Sequence, residues 1–160
     1  MAGRILMSAE AKLVEMGVKL PEVPEPVASY VNAVRTGKLL ILSGGLPFDP
    51  ERKFNGSVPS DVLVSEAIKA ARQAVLGRLA VIRQELGSLD RVTRIIAVQG
   101  YVNSDPDFGD QPLVVNGASD LLIEVFGEEI GRHSRIAVGC SSLPLHVSVE
   151  IAMTVEFSDE

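Results

Sequence analysis

An arginine and a glutamate interrupt two segments that otherwise read as strands. The stretch HSRIAVG (133–139) continues with small and apolar residues after Arg135, and VSVEIAMTVEF (147–157) carries Glu150 near its middle. Arginine stays charged at any working pH and presents a planar fork of donors that matches a carboxylate bidentately. Where a strand enters a pocket, such a fork would hold an anionic small molecule. A glutamate turned into the same pocket would orient or deprotonate a water. The same pair suits a structural salt bridge, because isolated charges in strands are usually paired or solvated. Spacing alone leaves both readings open.

Other reactive side chains form weaker patterns. Cys140 lies six residues before His146, but nothing assembles the base and orienter that a nucleophile needs, and a single cysteine usually behaves as a small hydrophobe. His133 and His146 sit in or beside loops, as surface histidines do. The acidic run NSDPDFGD (103–110) looks like a calcium loop. However, a proline interrupts it, and the bidentate glutamate expected six residues after the glycine is replaced by Val115. It reads better as a turn feeding a helix N-terminus, where negative charge is favoured. With 2 His and 1 Cys, no zinc-ligand spacing is present.

Composition narrows the class. The chain has 160 residues, 46% of them hydrophobic, enough for one domain with a core of its own. Net charge is −6 and the 15 Lys and Arg are scattered singly, the opposite of a nucleic-acid surface. Aromatics make up 4%, with no Trp, so base-stacking platforms are not expected. No apolar run approaches the roughly 18 residues that span a bilayer, and the N-terminus makes a poor signal peptide. A lone cysteine excludes an internal disulfide framework; the expectation is a reduced, cytoplasmic setting.

The elements that must position Arg135 and Glu150 follow from periodicity. Residues 8–17 read as a short helix capped by Ser8 and stopped at Gly17. Three prolines then force residues 21–26 into an extended tether. Residues 1–26 are thus set apart from a domain at 27–160. A hairpin is expected next, with strands at 30–35 and 38–43 turning at Thr36-Gly37 and ending at Gly44-Gly45. Leu39 to Leu42 are apolar at every position, as in a strand buried on both faces. A long helix over 60–87 carries an apolar stripe through Val64, Ile68, Ala71, Val75, Leu79, Ile82 and Leu86. A strand at 92–102, a helix at 110–126, and strands at 135–140 and 147–157 complete the order. The fold class is α+β: two amphipathic helices on one face of a single sheet. The other face lacks a cover, which points to a partner subunit and to pockets between subunits.

The blocks YVNAVRTGKLLILSGGLPFDP, LGSLDRVTRIIAVQGYVNSDPDF, VNGASDLLIEVFG and SRIAVGCSSLPLHVSVEI together resemble the RidA/YjgF family, in register from about residue 27 to 157. Older names for its members are endoribonuclease L-PSP and translation inhibitor. The N-terminal helix and tether look like the extension of a divergent branch. The resemblance implies a chorismate-mutase-like mixed sheet and a homotrimer with three clefts between subunits. It also implies hydrolytic deamination of reactive enamines and imines, such as 2-aminoacrylate, to a keto acid and ammonia, as in 2-iminobutanoate/2-iminopropanoate deaminases, with no metal or cofactor. By the same resemblance Arg135 clamps the substrate carboxylate and Glu150 positions the attacking water. Tyr30 lines the cleft, the backbone of Ser43 and Gly44 borders the reacting atom, and Asn116 joins from the second helix.

The departures bear on the ligand. Family members commonly read R-S-C/T-V where this chain has Arg135, Ile136, Ala137 and Val138. The usual glutamine after SG is Gly45, a second glutamate is Ala152, and an aromatic residue is Ser119. The anchor and one carboxylate remain inside a smaller, less polar wall. Three functions follow: imine or enamine hydrolysis, small-carboxylate binding without turnover, and RNA cleavage, which the acidic surface makes the poorest fit.

Overall fold

A computed structural model of the chain describes residues 7–159. Its elements are α1 (Ala9–Glu15), β1 (Ala33–Thr36), β2 (Leu39–Gly45), α2 (Val64–Leu86), β3 (Val92–Asn103), α3 (Gln111–Gly131), β4 (Ser134–Cys140) and β5 (Val149–Phe157), with single turns of 3-10 helix at Leu89–Arg91 and Pro144–His146. The strands form one sheet in the order β1-β2-β5-β3-β4. Neighbours are antiparallel except β3 and β4, which are parallel and joined across α3. α2 covers β2 and β5, α3 covers β3 and β4, and the two helices pack side by side. The class is the α+β arrangement expected, with α1 as a third helix.

Strand β5 sets the two faces of the sheet. Val149, Ile151, Met153, Val155 and Phe157 are buried under the helices, whereas Glu150, Ala152, Thr154 and Glu156 point to the opposite face. In β2 the apolar run behaves differently from a doubly buried strand. Leu40 and Leu42 enter the core at 0% and 3% exposure, but Ile41 is 46% exposed. A single chain covers one face only, so the second apolar row of β2 lies open, with Ile41 beside its partner Val34 of β1.

Boundaries shift where local hydrogen bonds compete. α2 starts at Val64 rather than near 60 because Asp61 accepts from the Ser57 N–H at 2.9 Å and Ser60 bonds the Asp105 carboxylate. These turn bonds hold both residues out of the helix. α3 continues past 126 to Gly131 through a kink at Gly127, whose φ of 79° lies outside helical geometry. The acidic run 103–110 feeds α3 as expected, with Asp105 spent on Ser60. No group of three or more possible metal ligands occurs among the described residues.

α1 is capped by Ser8, which accepts from the Ala11 N–H. Ala9 and Leu13 join the same core as the sheet and the long helices, and Val18, Leu20 and Val23 pack partly against it. Glu10 ties α1 down: Arg83 of α2 bonds both its carboxylate oxygens at 3.0 and 2.6 Å, and the Leu89 N–H donates at 2.9 Å. Burial pushes the Glu10 carboxyl up, but Arg83 and the Leu89 N–H outweigh it and the net shift is downward. No helix among the described residues is long and apolar enough to cross a membrane.

Candidate functional site

Arg135 enters β4 opposite Val98 of β3, so its side chain lies on the helix-covered face. There α3 receives it. Arg135 Nη1 donates to Asn116 Oδ1 at 2.8 Å and to Ser119 Oγ at 3.2 Å, and Nη2 donates to the Pro112 carbonyl at 3.2 Å. Asn116 and Ser119 are three residues apart and share one side of the helix. Within the chain the fork is therefore aimed but not exhausted: the Nε–H and one Nη2 hydrogen stay available for an anion.

Further polar groups behind α3 hold Arg135 in place. Ser119, 8% exposed, lies 2.9 Å from His133 Nε2, and His133 Nδ1 is 2.7 Å from the Gly131 carbonyl. A carbonyl only accepts, so Nδ1 carries the proton and Nε2 accepts from the Ser119 hydroxyl. The Ser119 oxygen is then free to accept from Arg135. Burial pulls the His133 pKa down and the Arg135 charge adds to this, with the Gly131 bond opposing. His133 is thus a half-buried, hydrogen-bonded group and not the surface histidine expected from the sequence.

Glu150 occupies the other face. It pairs with Tyr101 of β3 and stands over the glycines that end β2. A Cβ added to Gly44 would fall 2.9 Å from Glu150 Cδ, so the carboxylate lies against bare backbone. Burial raises the Glu150 pKa above the ordinary carboxylate value, and the charge of Arg78 partly opposes this. Ser43 donates its hydroxyl to the Val31 carbonyl at 2.6 Å, fixing the segment after Tyr30 against β2. Tyr30 is 46% exposed and acts electrostatically on Arg78. Cys140 is partly buried, and burial together with Glu150 raises its thiol pKa, the reverse of what activates a nucleophile.

The residues singled out in the sequence thus fall into two groups. Arg135 and Asn116 gather on the helix-covered face near the edge strand, whereas Ser43, Gly44 and Glu150 meet around the end of β2 with the Glu150 carboxylate on the open face, and Tyr30 lies exposed just before β1. No hydrogen bond or ion pair joins Arg135 to Glu150 among the described residues, so the salt-bridge alternative is not what the fold builds. Within one copy, the sheet itself separates Arg135 from Glu150.

Arg78 is the site neighbour that sequence reasoning passed over. It lies on α2 at 2% exposure, with Nη1 donating to the Ser43 carbonyl at 2.9 Å. The available signal was a charge at a position flanked by Val75, Leu79 and Ile82 on the apolar stripe. A charge on a buried face requires a partner.

Known proteins share this architecture. The family described as "YjgF/chorismate mutase-like, putative endoribonuclease" matches residues 10–157. Protein TCP17 of Trypanosoma cruzi is 41% identical over 150 residues, covering 93% of this chain and 94% of that one. A RutC family protein of Pyrococcus abyssi is 25% identical over 130 residues, covering 81% and 87%. Among solved structures, Agrobacterium tumefaciens Atu1372, of unknown function, is 41% identical with a TM-score of 0.85, covering 94% of this chain and 92% of that one. A Shewanella oneidensis protein described as a "putative endoribonuclease" is 33% identical with a TM-score of 0.89, covering 94% and 100%. The match spans the two strands, the sheet order and the helix layer that carry the arginine and the acid, and the chain belongs to the YjgF/RidA family.

Proposed function

We propose that the protein hydrolyses small imines or enamines bearing a carboxylate, in clefts that two copies of the chain build together within a homotrimer. The observation that carries this reading is the separation of Arg135 from Glu150. Each is oriented by neighbours on its own face, and the open face exposes apolar side chains at both edges of the sheet, Val34 and Ile41 on one side and Ile136 and Val138 on the other, suited to a second copy. A cleft formed where two copies meet brings one copy's clamp to the other's acid.

In that cleft the free edge of Arg135 holds the substrate carboxylate and fixes the imine carbon. A water beside Glu150 attacks that carbon, and the carboxylate takes the water's proton. The resulting carbinolamine receives that proton on nitrogen; as the C–N bond breaks, its hydroxyl gives its own proton back to the Glu150 carboxylate, and the products are a keto acid and ammonia. Such substrates already hydrolyse in water, so placing water and imine together supplies much of the rate enhancement. A carboxyl raised by burial also makes a better base than an ordinary one.

The test uses iminium substrates generated by an amino-acid oxidase and compares the protein with Arg135→Ala. The expected loss is roughly 2–4 kcal/mol of transition-state binding, about 30- to 1000-fold in rate. A wild-type protein no faster than buffer across several side chains would rule out the hydrolase reading.

The small side chains at Ala137 and Ala152 favour a second reading, in which the cleft holds a small carboxylate without turnover. A keto acid that raises the melting temperature of wild type but not of Arg135→Ala, with no acceleration of imine loss, would select it. RNA cleavage is the least favoured because the chain offers scattered basic residues and a net charge of −6.

A further inference from the structure

Among the described residues, Arg78 is the single charged side chain in the fully buried set, and its Nε is buried without a hydrogen-bond partner. A lone guanidinium taken out of water costs several kcal/mol unless charge and hydrogen bonds offset it. The Ser43 carbonyl supplies one bond, and the neighbouring ionisable groups that act on Arg78 are Glu150 and Tyr30. Helix α2 therefore spends core space on a cation whose natural counter-charge is the cleft acid.

The end of β2 is shaped to admit it. A Cβ on Gly45 would lie 2.8 Å from Arg78 Cδ and closer still to Nε. The backbone at Gly45 does not have the left-handed φ that itself demands glycine, so the constraint is steric. Gly44 is constrained in the same way from the opposite side by Glu150. The register between β2 and β5 also breaks between Leu42 and Gly45, and Ser43, whose carbonyl accepts from Arg78, lies within that break. Two adjacent glycines thus thin the sheet to bare backbone, with the guanidinium on one side and the carboxylate on the other.

We propose that Arg78 is a positioning residue of the cleft: it fills the space a residue-45 side chain would occupy, anchors the Ser43 carbonyl and sets a fixed positive charge behind the glycines, opposite Glu150. This rests on reading Glu150 as the cleft acid. Its consequence is electrostatic. A carboxylate on the cleft wall would repel an anionic substrate, and Arg78 offsets that repulsion while opposing the upward shift that burial gives the Glu150 carboxyl. The other ionisable groups around the acid, Tyr30 before β1, Tyr101 of β3 and Cys140 of β4, carry no positive charge and cannot substitute.

The test reads Glu150 directly, by carbon NMR titration of its side-chain carboxyl in the full-length protein. Arg78→Met should move its midpoint to higher pH. Gly45→Ala, which displaces the guanidinium without deleting it, should move it the same way. Melting temperatures complete a cycle: Gly45→Ala should lower the value in wild type and leave it nearly unchanged in an Arg78→Ala background. An unmoved midpoint in Gly45→Ala, or an equal loss of stability in both backgrounds, would overturn the proposal. Neither measurement needs turnover. A protein inert toward imines that shows both effects keeps this inference and loses the hydrolase reading.

Discussion

The hydrogen bonds that orient Arg135 follow an order that only neutral His133 supports. Nδ1–H donates to the Gly131 carbonyl, Nε2 accepts from Ser119, and the Ser119 oxygen accepts from Arg135. A protonated ring would turn Nε2 into a donor, displace the hydroxyl hydrogen and set two cations across one oxygen. Because burial and Arg135 lower the folded-state pKa below 6.5, the unfolded chain binds the proton first as pH falls. Unfolded then holds more protons than folded, and stability rises with pH across that interval. The contribution is fully present above about 6.5 and is lost as pH falls through the folded value. The melting-temperature difference between wild type and His133→Gln should therefore shrink on acidification from neutral pH; a constant difference would disprove this donor–acceptor chain. Ser119→Ala should weaken keto-acid binding by about 1 kcal/mol, roughly fivefold, through a looser fork. Arg135 and Glu150 were legible because each breaks an apolar pattern. Ser119 and His133 were not: their meeting depends on how α3 ends, through the Gly127 kink and the turn to β4, which local pattern does not reveal.

Elements were readable where one face is wet and one dry, as in β5, whose alternation survives intact from sequence to structure. They were less readable where a helix is covered from two sides, by the sheet and by a second helix. The middle of α2 is buried nearly all round, so Ala67, Ala70, Ala74 and Leu76 join the core beyond the single stripe that spacing suggested. The reason is the close approach of α2 and α3. A Cβ on Gly117 of α3 would fall 2.9 Å from the Ile68 carbonyl carbon of α2, and only a residue without a side chain lets the backbones meet there. Gly117→Ala must push the helices apart. The expected cost is about 1–3 kcal/mol of overpacking, seen as a lower chemical-denaturation midpoint with an unchanged slope. Because Asn116 is the adjacent residue on α3, the same substitution should also weaken anion binding by the Arg135 clamp. The start of α2 lies later than expected for a different reason: Ser60 and Asp61 are good caps in isolation, but in the fold they bond Asp105 and Ser57.

At the scale of the whole molecule, the proposed function requires the two faces of the sheet to supply different halves of one chemistry. Arg135, Asn116, Ser119 and His133 lie on the helix-covered side; Glu150, Gly44, Gly45 and Arg78 meet around the end of β2, with the carboxylate on the open side. If a cleft needs both halves, neither Arg135→Ala nor Glu150→Gln chains alone should turn over imines, yet a mixture refolded together should. A cleft that takes its arginine from one copy and its acid from a neighbour is intact when an Arg135-bearing copy meets a Glu150-bearing one. For random assembly of equal amounts in a closed ring, this holds for about a quarter of the clefts, so about a quarter of wild-type activity should return. Mixing the folded mutants without refolding should return less, because subunits must first exchange. A site contained within one chain predicts no recovery at any ratio, since every copy lacks one of the two groups. The experiment separates a shared cleft from a self-contained one without requiring knowledge of the natural substrate.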